Sequence, residues 1–185
     1  VGAKNAALGE MIHGLTHVGV QIPRGFAITA RAYREILELN DLAPQIERSL
    51  RQLSTGETSL ETVGRAIREL FLNARFPDRL SEEIATAYIR LGEMCGRDML
   101  EVAVRSSATA EDLPEASFAG MLESFLNVSG EEPLLAACRR CYASLFTDRA
   151  ISYREKMGFS PTDVALSIGV QQMVRADQAG AGVMF

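Results

Sequence analysis

The clearest structural signal in the sequence lies in residues 100–120, which read LEVAVRSSATAEDLPEASFAG. The apolar and β-branched residues at its start predict a strand that ends at Val104 and delivers Arg105 at its end. From Ser106 to Gly120 neither the helical nor the strand period is present, so a long loop is expected there. A loop of this length inside a compact domain is uncommon and usually serves as a binding loop or lid.

The residue types in this stretch are suited to binding a phosphate group. A guanidinium such as that of Arg105 forms two parallel hydrogen bonds with phosphate oxygens. Small residues let backbone N–H groups approach the same anion, together with the hydroxyls of Ser106, Ser107, Thr109 and Ser117. The alternative is an ordinary surface loop in which Arg105 pairs with Glu111 or Asp112. The motif alone leaves both interpretations open.

The N-terminal segment holds a second candidate cation. Residues 3–16 carry apolar side chains at helical spacing and predict an amphipathic helix with Lys4 in its first turn. A cation is unusual there, because unpaired N–H groups and the macrodipole make a helix start positive. A bound phosphate would offset this cost, since helix N-termini bind anions. The G-x-x-x-x-G-K-[ST] motif is absent, so taken alone Lys4 is also compatible with an ordinary surface charge.

The remaining pattern predicts an α+β fold in which helices occupy residues 30–97 almost throughout and short strands lie on either side. The other expected strands are residues 26–28, 123–128, 164–174 and 182–185, and the other expected helices are residues 133–146 and 148–157.

Composition excludes several classes of protein. The chain has 185 residues, of which 47% are hydrophobic and 23% charged, as in an ordinary globular domain. The net charge of −5 argues against a nucleic-acid binder, which needs a basic surface. No apolar run has the length of a membrane span and no signal peptide pattern is present, so a cytoplasmic protein without a membrane partner is expected. Three cysteines fit a reducing compartment better than a disulfide framework. The first residue is not Met and the last lies in an apolar run, so a fragment of a longer polypeptide is expected.

Two other patterns offer little chemistry. Cys138 and Cys141 lie in a predicted helix with no second pair and no preceding strand, which favours cysteines of the core. His13 and His17 are four residues apart, but Gly14 weakens that helix and a third zinc ligand is lacking. Because the chain holds two histidines in all, a Ser-His-Asp or Cys-His arrangement is unsupported.

A set of short motifs is spread along the chain, at residues 2–11 (GAKNAALGEM), 22–29, 102–114 (VAVRSSATAEDLP), 117–120, 148–154 and 182–185. Together these segments resemble the ATP-binding region of the pyruvate phosphate dikinase and phosphoenolpyruvate synthase family. The resemblance covers nearly the whole chain and is weakest between residues 40 and 95, and the segment 148–159 favours the synthase branch.

The resemblance implies an ATP-grasp fold, of which this chain forms the first half. It implies a mixed or antiparallel sheet flanked by helices, with a helical insertion at about residues 30–97. Members of the family use Mg²⁺ and ATP to phosphorylate a histidine on a separate domain, which hands the phosphate to pyruvate and yields phosphoenolpyruvate, AMP and phosphate. The second half of the fold, the phosphohistidine domain, the pyruvate-binding domain and the metal ligands are expected outside this chain. By itself the chain is therefore expected to be inactive.

Site residues are also implied by the resemblance. Lys4 and Arg105 match the residues that hold the ATP phosphates and are the candidate catalytic residues. Gly120 matches a position on the loop that covers the phosphates, and Ser124 lies on the following strand, where the family usually has Thr. Gln171 matches a strand residue beside the adenine, and no metal ligand is assigned within the chain.

Two alternatives remain open at this point. A rifampicin phosphotransferase would share the ATP motifs but pass phosphate to an antibiotic. A catalytically idle regulatory or interaction module would keep the fold without the reaction. The final phosphate acceptor, homodimer formation and regulation are not determined by these residues.

Overall fold

The structure is a computed structural model that describes residues 1–108, 123–158, 164–178, 180 and 182. Short 3-10 turns follow the first helix, the sixth helix and the last strand. In chain order the elements are α1 (Ala3–Leu15), β1 (Gly25–Ile28), α2 (Ala30–Leu39), α3 (Leu42–Ser54), α4 (Leu60–Leu72), α5 (Asp78–Cys95), β2 (Val102–Ala108), β3 (Ser124–Val128), α6 (Glu131–Ala143), α7 (Asp148–Met157) and β4 (Leu166–Gln172).

The described strands form one antiparallel sheet in the order β1, β4, β2, β3. The inner strands β2 and β4 pair along their whole length, from Val102 opposite Gln172 to Ala108 opposite Leu166. Nearly all β2 residues are buried, as expected of an inner strand rich in apolar and small residues. The α+β class and the antiparallel form of the sheet are therefore confirmed.

The end of β2 differs from the sequence-based expectation. The strand continues for three residues beyond Arg105 to Ala108, so the predicted strand end at Val104 is wrong. Ser106 and Ser107 carry no strand signal of their own, but both pair with β4, and Ser107 lies opposite Ser167. The extended conformation of these two serines is thus set by pairing with the neighbouring strand and not by their own low β propensity.

Helices pack on one face of the sheet and enclose the core. Side chains of Val104 on β2 and Ile168 on β4 point into this layer and are fully buried. At its centre the rings of Tyr33 and Phe71 stack with centroids 5.9 Å apart, and Phe71 stacks on Phe146 at 5.3 Å. Each such aromatic pair contributes about 0.5–1.5 kcal/mol beyond its buried area.

A buried tyrosine ties the helical layer to the sheet. The hydroxyl of Tyr88 on α5 donates to the carbonyl of Leu100, at 2.7 Å, and accepts from the amide of Gly130, at 2.8 Å. Leu100 precedes β2 and Gly130 follows β3, so one side chain holds the entrance of one strand beside the exit of the next.

The segment 148–154, which contributes to the family resemblance, serves the packing of α7. Asp148 accepts a hydrogen bond from Arg68 of α4 at 3.0 Å, and the same guanidinium nitrogen donates to the carbonyl of Phe146 at 2.8 Å. Arg154 is buried and donates to the carbonyl of Leu145 at 2.6 Å. These contacts fix α7 against α4 and the turn before it.

Most other predicted elements are confirmed. Helices fill the segment 30–95 as α2 to α5, and α7 has the predicted bounds. The strand expected at residues 182–185 and most of the loop expected at 106–120 lie outside the described residues. Within the described part of the chain, no helix combines the length and the apolar character needed to cross a bilayer.

Helix α1 lies on the opposite face of the sheet. The predicted helix is confirmed, but its apolar side chains Met11, Ile12 and Leu15 are 44%, 40% and 38% exposed. The apolar side of α1 is thus not buried as an amphipathic pattern would suggest. The contacts of its first two turns, described below, join α1 to the sheet.

Candidate functional site

The sheet register places three predicted site residues on one face. Arg105 on β2 is paired with Gly169 on β4 and with Ser124 on β3. Gln171, two residues beyond Gly169, is paired with Ala103. Paired residues of an antiparallel sheet point to the same face, as do residues two apart on a strand. Arg105, Ser124 and Gln171 therefore share the face on which α1 lies.

Helix α1 brings the second cation to this face. Lys4 is in the first turn of α1, as predicted from the sequence. Lys4 and Arg105 line one cavity of about 190 Å³, and its other described lining residues are uncharged. Those residues are Asn5, Leu8, Met11, Phe26, Ser106, Ser107, Gly169, Val170 and Gln171.

The residue before α1 packs directly on β2. Gly2 has φ 75° and ψ 156°, a region that is essentially restricted to glycine. A Cβ at this position would lie 2.6 Å from the carbonyl oxygen of Ser107 and would overlap its hydroxyl. The close approach puts the backbone just before Lys4 against the strand that carries Arg105.

A second contact joins the first turn of α1 to β4. The side-chain amide nitrogen of Asn5 donates to the hydroxyl of Ser167 at 2.9 Å and to the carbonyl of Val1 at 3.0 Å. The amide oxygen lies where a Cβ of Gly169 would be, so the absence of a side chain there makes room for Asn5. Gly169 is the direct partner of Arg105 in the sheet.

A buried hydroxyl in this cavity has no partner among the described residues. Ser107 is 1% exposed, and its Oγ forms no hydrogen bond within the described part of the chain. Buried polar groups are almost always satisfied, so such an atom in the wall of a cavity fits a site for a polar ligand. Ser106 differs, because its hydroxyl donates to the carbonyl of Glu123 at 3.2 Å. Of the hydroxyls predicted to approach an anion, that of Ser106 is thus engaged within the sheet, and those of Thr109 and Ser117 lie outside the described residues.

The other predicted contacts have different surroundings. The side-chain nitrogen of Gln171 donates to the carbonyl of Pro23 at 3.1 Å and so holds the segment before β1. Ser124 is exposed at the start of β3, the strand that lies last in the described order. Gly120 lies outside the described residues. The ion pairs found between described residues do not include Arg105.

The cysteines and histidines do not form a second site in the described part of the chain. Cys138 and Cys141 are fully buried on α6, as predicted. Burial raises the pKa of the Cys138 thiol well above its usual value and that of Cys141 to about 12, so both stay protonated and unreactive. His13 and His17 are exposed. No cluster of three or more His, Cys, Asp or Glu able to hold a metal ion occurs among the described residues.

Larger cavities lie elsewhere on the described surface. One of about 500 Å³ separates α5 from β1, and one of about 770 Å³ lies beyond the end of β4. The smaller cavity is the better candidate, because it joins both predicted cations to an unpartnered hydroxyl. Two cations, small residues and the positive end of a helix together form an arrangement suited to binding an anionic group such as phosphate.

Comparison with known proteins shows the class of this domain. All of residues 1–185 match the family described as pyruvate phosphate dikinase, AMP/ATP-binding domain. The chain belongs to this family.

Among named relatives the similarity is to phosphoenolpyruvate synthases. The chain is 50% identical to the enzyme of Aquifex aeolicus over 185 residues, 51% identical to that of Pseudomonas aeruginosa over 186 residues, and 46% identical to that of Escherichia coli over 186 residues. Each alignment covers 100% of this chain but 22% or 23% of the relative. The chain therefore spans less than a quarter of the length of these relatives.

Sequence reasoning missed the residues that hold α1 on the sheet, namely Gly2, Asn5 and Gly169. One signal was available, since a glycine inside a strand often marks the close approach of another group. Nothing in the local pattern identifies Asn5 as the group that approaches Gly169. That contact joins segments more than 160 residues apart in the chain.

Proposed function

We propose that this chain is the ATP-binding N-terminal part of a phosphoenolpyruvate synthase and forms the first half of an ATP-grasp fold. In this proposal ATP phosphorylates a histidine on another domain of the full-length protein. The phosphate then passes to pyruvate, which becomes phosphoenolpyruvate, while AMP and phosphate are released. Similarity to named synthases across the whole chain supports this reaction over phosphate transfer to an antibiotic and over an idle interaction module.

The observation that carries the proposal is the meeting of Lys4 and Arg105 in one cavity at the start of α1. Phosphoryl transfer depends mainly on positioning and on charge neutralisation. The Lys4 ammonium supplies a compact charge, the Arg105 guanidinium supplies a fork of donors, and the helix start adds partial positive charge. The two side chains are proposed to hold the phosphates of ATP while charge develops between donor and acceptor.

Three further contacts with ATP are proposed. Ser124 shares the sheet face with Arg105 and offers a hydroxyl toward the phosphates. Gln171 lies two residues further along β4 from the position opposite Arg105, which suits a place beside the adenine. Gly120 is proposed to lie on the loop that covers the phosphates.

The size of the cavity supports a site shared with a second structural half. Pockets for ligands of nucleotide size usually enclose about 300–1,000 Å³, whereas this cavity has about 190 Å³. The sheet face thus offers one wall, and the other wall is proposed to come from the second half of the fold. The helical segment from about residue 30 to residue 97 lies on the opposite face and is proposed to be an insertion that does not touch ATP.

Magnesium is proposed as the metal that accompanies ATP. The triphosphate carries more negative charge than Lys4 and Arg105 can neutralise, and a bound divalent ion would supply the remaining positive charge. Its protein ligands are proposed to lie outside this chain, in the second half of the fold. The wider proposal includes contacts with the phosphohistidine and pyruvate-binding domains, a cytoplasmic location and a homodimer. No nucleic-acid or membrane partner is proposed.

The test is ATP-dependent phosphorylation of histidine in the full-length protein, followed with radiolabelled ATP. Lys4→Ala and Arg105→Ala should each slow the reaction by a hundred- to thousandfold, because the loss of one preorganised charge contact raises a barrier by about 3–4 kcal/mol. Both side chains are exposed, so the melting temperature should not change. Lys156→Ala and Arg34→Ala remove exposed cations away from the cavity and are the matched controls. Normal phosphorylation in the Arg105 variant would remove the basis of the proposal.

A further inference from the structure

Helix α1 buries little of its own surface. None of its described residues is buried, and its apolar side chains are largely exposed. A lysine side chain is long and flexible, so the position of its ammonium group depends on how firmly the backbone is fixed. Contacts between the start of α1 and the sheet must therefore set where Lys4 can reach.

The Asn5 side chain supplies a directional contact of this kind. Its nitrogen donates to Ser167 on β4 and to the carbonyl of Val1, so it links the helix start to the sheet and to the preceding backbone. Ser167 Oγ in turn lies within hydrogen-bond distance of two backbone carbonyls, that of Val1 and that of Ser107, the latter at 3.2 Å, and it donates its one proton between them. The contact thus extends from α1 across β4 to β2, the strand that carries Arg105.

Gly169 is shaped to receive this side chain. The three atoms nearest to an added Cβ all belong to Asn5: the amide oxygen in overlap, Cγ at 3.5 Å and the amide nitrogen at 3.8 Å. Gly169 also lies directly opposite Arg105. Any side chain at Gly169 would push Asn5, and with it the backbone of Lys4, away from the sheet position where Arg105 lies.

We infer that Asn5, packed on Gly169, is a positioning residue that fixes Lys4 relative to Arg105 so that both cations meet one phosphate group. This inference rests on the proposed function, because it assigns Asn5 a role through Lys4. Asn5 itself need not touch ATP. Removal of the Asn5 side chain should therefore weaken ATP binding in a protein that has Lys4, and should have little effect in a protein that lacks Lys4.

The test measures the KM for ATP and the kcat of the full-length protein in two mutant cycles. Asn5→Ala should raise the KM by about five- to tenfold, the effect of losing one polar contact that orders the site. Gly169→Ala should do the same, but should add less than about twofold to Asn5→Ala, because the group it displaces is already gone. In a Lys4→Ala background, Asn5→Ala should likewise change the KM by less than about twofold.

Two controls match these changes. Asn73→Ala removes an exposed side-chain contact to a helix carbonyl, at 2.9 Å, and Gly9→Ala adds a Cβ on α1 that meets no atom within 4 Å. Both should leave the KM unchanged. If Gly169→Ala prevents folding, the Asn5→Ala and Lys4→Ala cycle still decides the question.

The outcomes separate this inference from the proposed function. If Lys4→Ala leaves the KM for ATP unchanged, the proposed role of Lys4 fails. If Lys4→Ala raises the KM but Asn5→Ala does not, the proposed function stands and the role of Asn5 is refuted. A lower melting temperature with an unchanged KM would show that Asn5 only stabilises the sheet, and equal effects of Asn5→Ala with and without Lys4 would show that it does not act through Lys4.

Discussion

Gly2→Ala adds one methyl group at the point where the chain enters α1. An L-residue in this backbone region, with φ 75° and ψ 156°, carries a strain of about 1–3 kcal/mol. The new Cβ would also lie 2.6 Å from the carbonyl oxygen of Ser107, a backbone atom of an inner strand that cannot rotate away. Overpacking of this kind costs about 1–3 kcal/mol. The native position of the helix start is therefore destabilised by about 2–6 kcal/mol.

The strain should be relieved by local displacement of α1 and not by unfolding of the domain. The described α1 residues bury little surface, whereas β2 and β4 lie in the core. Moving the first turn off the sheet thus loses few contacts, and local opening of this kind leaves the global stability nearly unchanged. Lys4 would move away with the helix start. The expected result is a KM for ATP raised by about 10- to 100-fold, with a melting temperature close to that of the wild type.

The assay combines steady-state kinetics of the full-length protein with thermal unfolding of the same samples. Gly19→Ala is the control for a methyl group at a glycine with positive φ, since Gly19 has φ 88° and ψ 5° and an added Cβ meets no atom within 4 Å. It tests backbone strain without the contact to Ser107. A wild-type KM for Gly2→Ala would refute the reasoning. An equal defect in Gly19→Ala would show that strain, and not the packing of Gly2 on β2, is responsible.

The other predictions concern the core. The free energy of unfolding should fall as the pH rises above about 9. Burial in the folded protein raises the thiol pKa values of Cys138 and Cys141 above the ordinary 9.0, so the unfolded chain loses these protons at lower pH than the folded chain does. Each thiol contributes up to about 1.4 kcal/mol per pH unit. In urea unfolding between about pH 8 and pH 10, the free energy of unfolding should therefore fall less steeply when both cysteines are replaced by alanine. An unaltered slope would contradict this prediction. Tyr88→Phe should lower the free energy of unfolding by about 2–3 kcal/mol, because the Leu100 carbonyl and the Gly130 amide lose their partner. A change below about 0.5 kcal/mol in chemical unfolding would show that water replaces the hydroxyl.

The sequence by itself determined most secondary-structure elements of this protein, because the spacing of apolar residues within a segment indicates whether it forms a helix or a strand. Three features follow from residues close together in the chain: the bounds of α7, the helical character of residues 30–95 and the place of Lys4 in the first turn of α1. Burial of Cys138 and Cys141 was also predicted from the sequence, since neither a second cysteine pair for a zinc site nor a preceding strand for a redox motif is present. Lys4 and Arg105 could be singled out as cations because the residues beside them suit an anion.

Only the tertiary structure decided how these parts meet. The extension of β2 to Ala108 depends on pairing with β4, and the shared face of Arg105 and Gln171 depends on a register that no single strand encodes. The contact of Asn5 with Gly169 is likewise a meeting of two distant segments. The local sequence determines which nearby backbone groups a residue can hydrogen-bond. It does not fix which distant side chain will occupy the space that a glycine leaves, because that depends on the packing of the whole sheet.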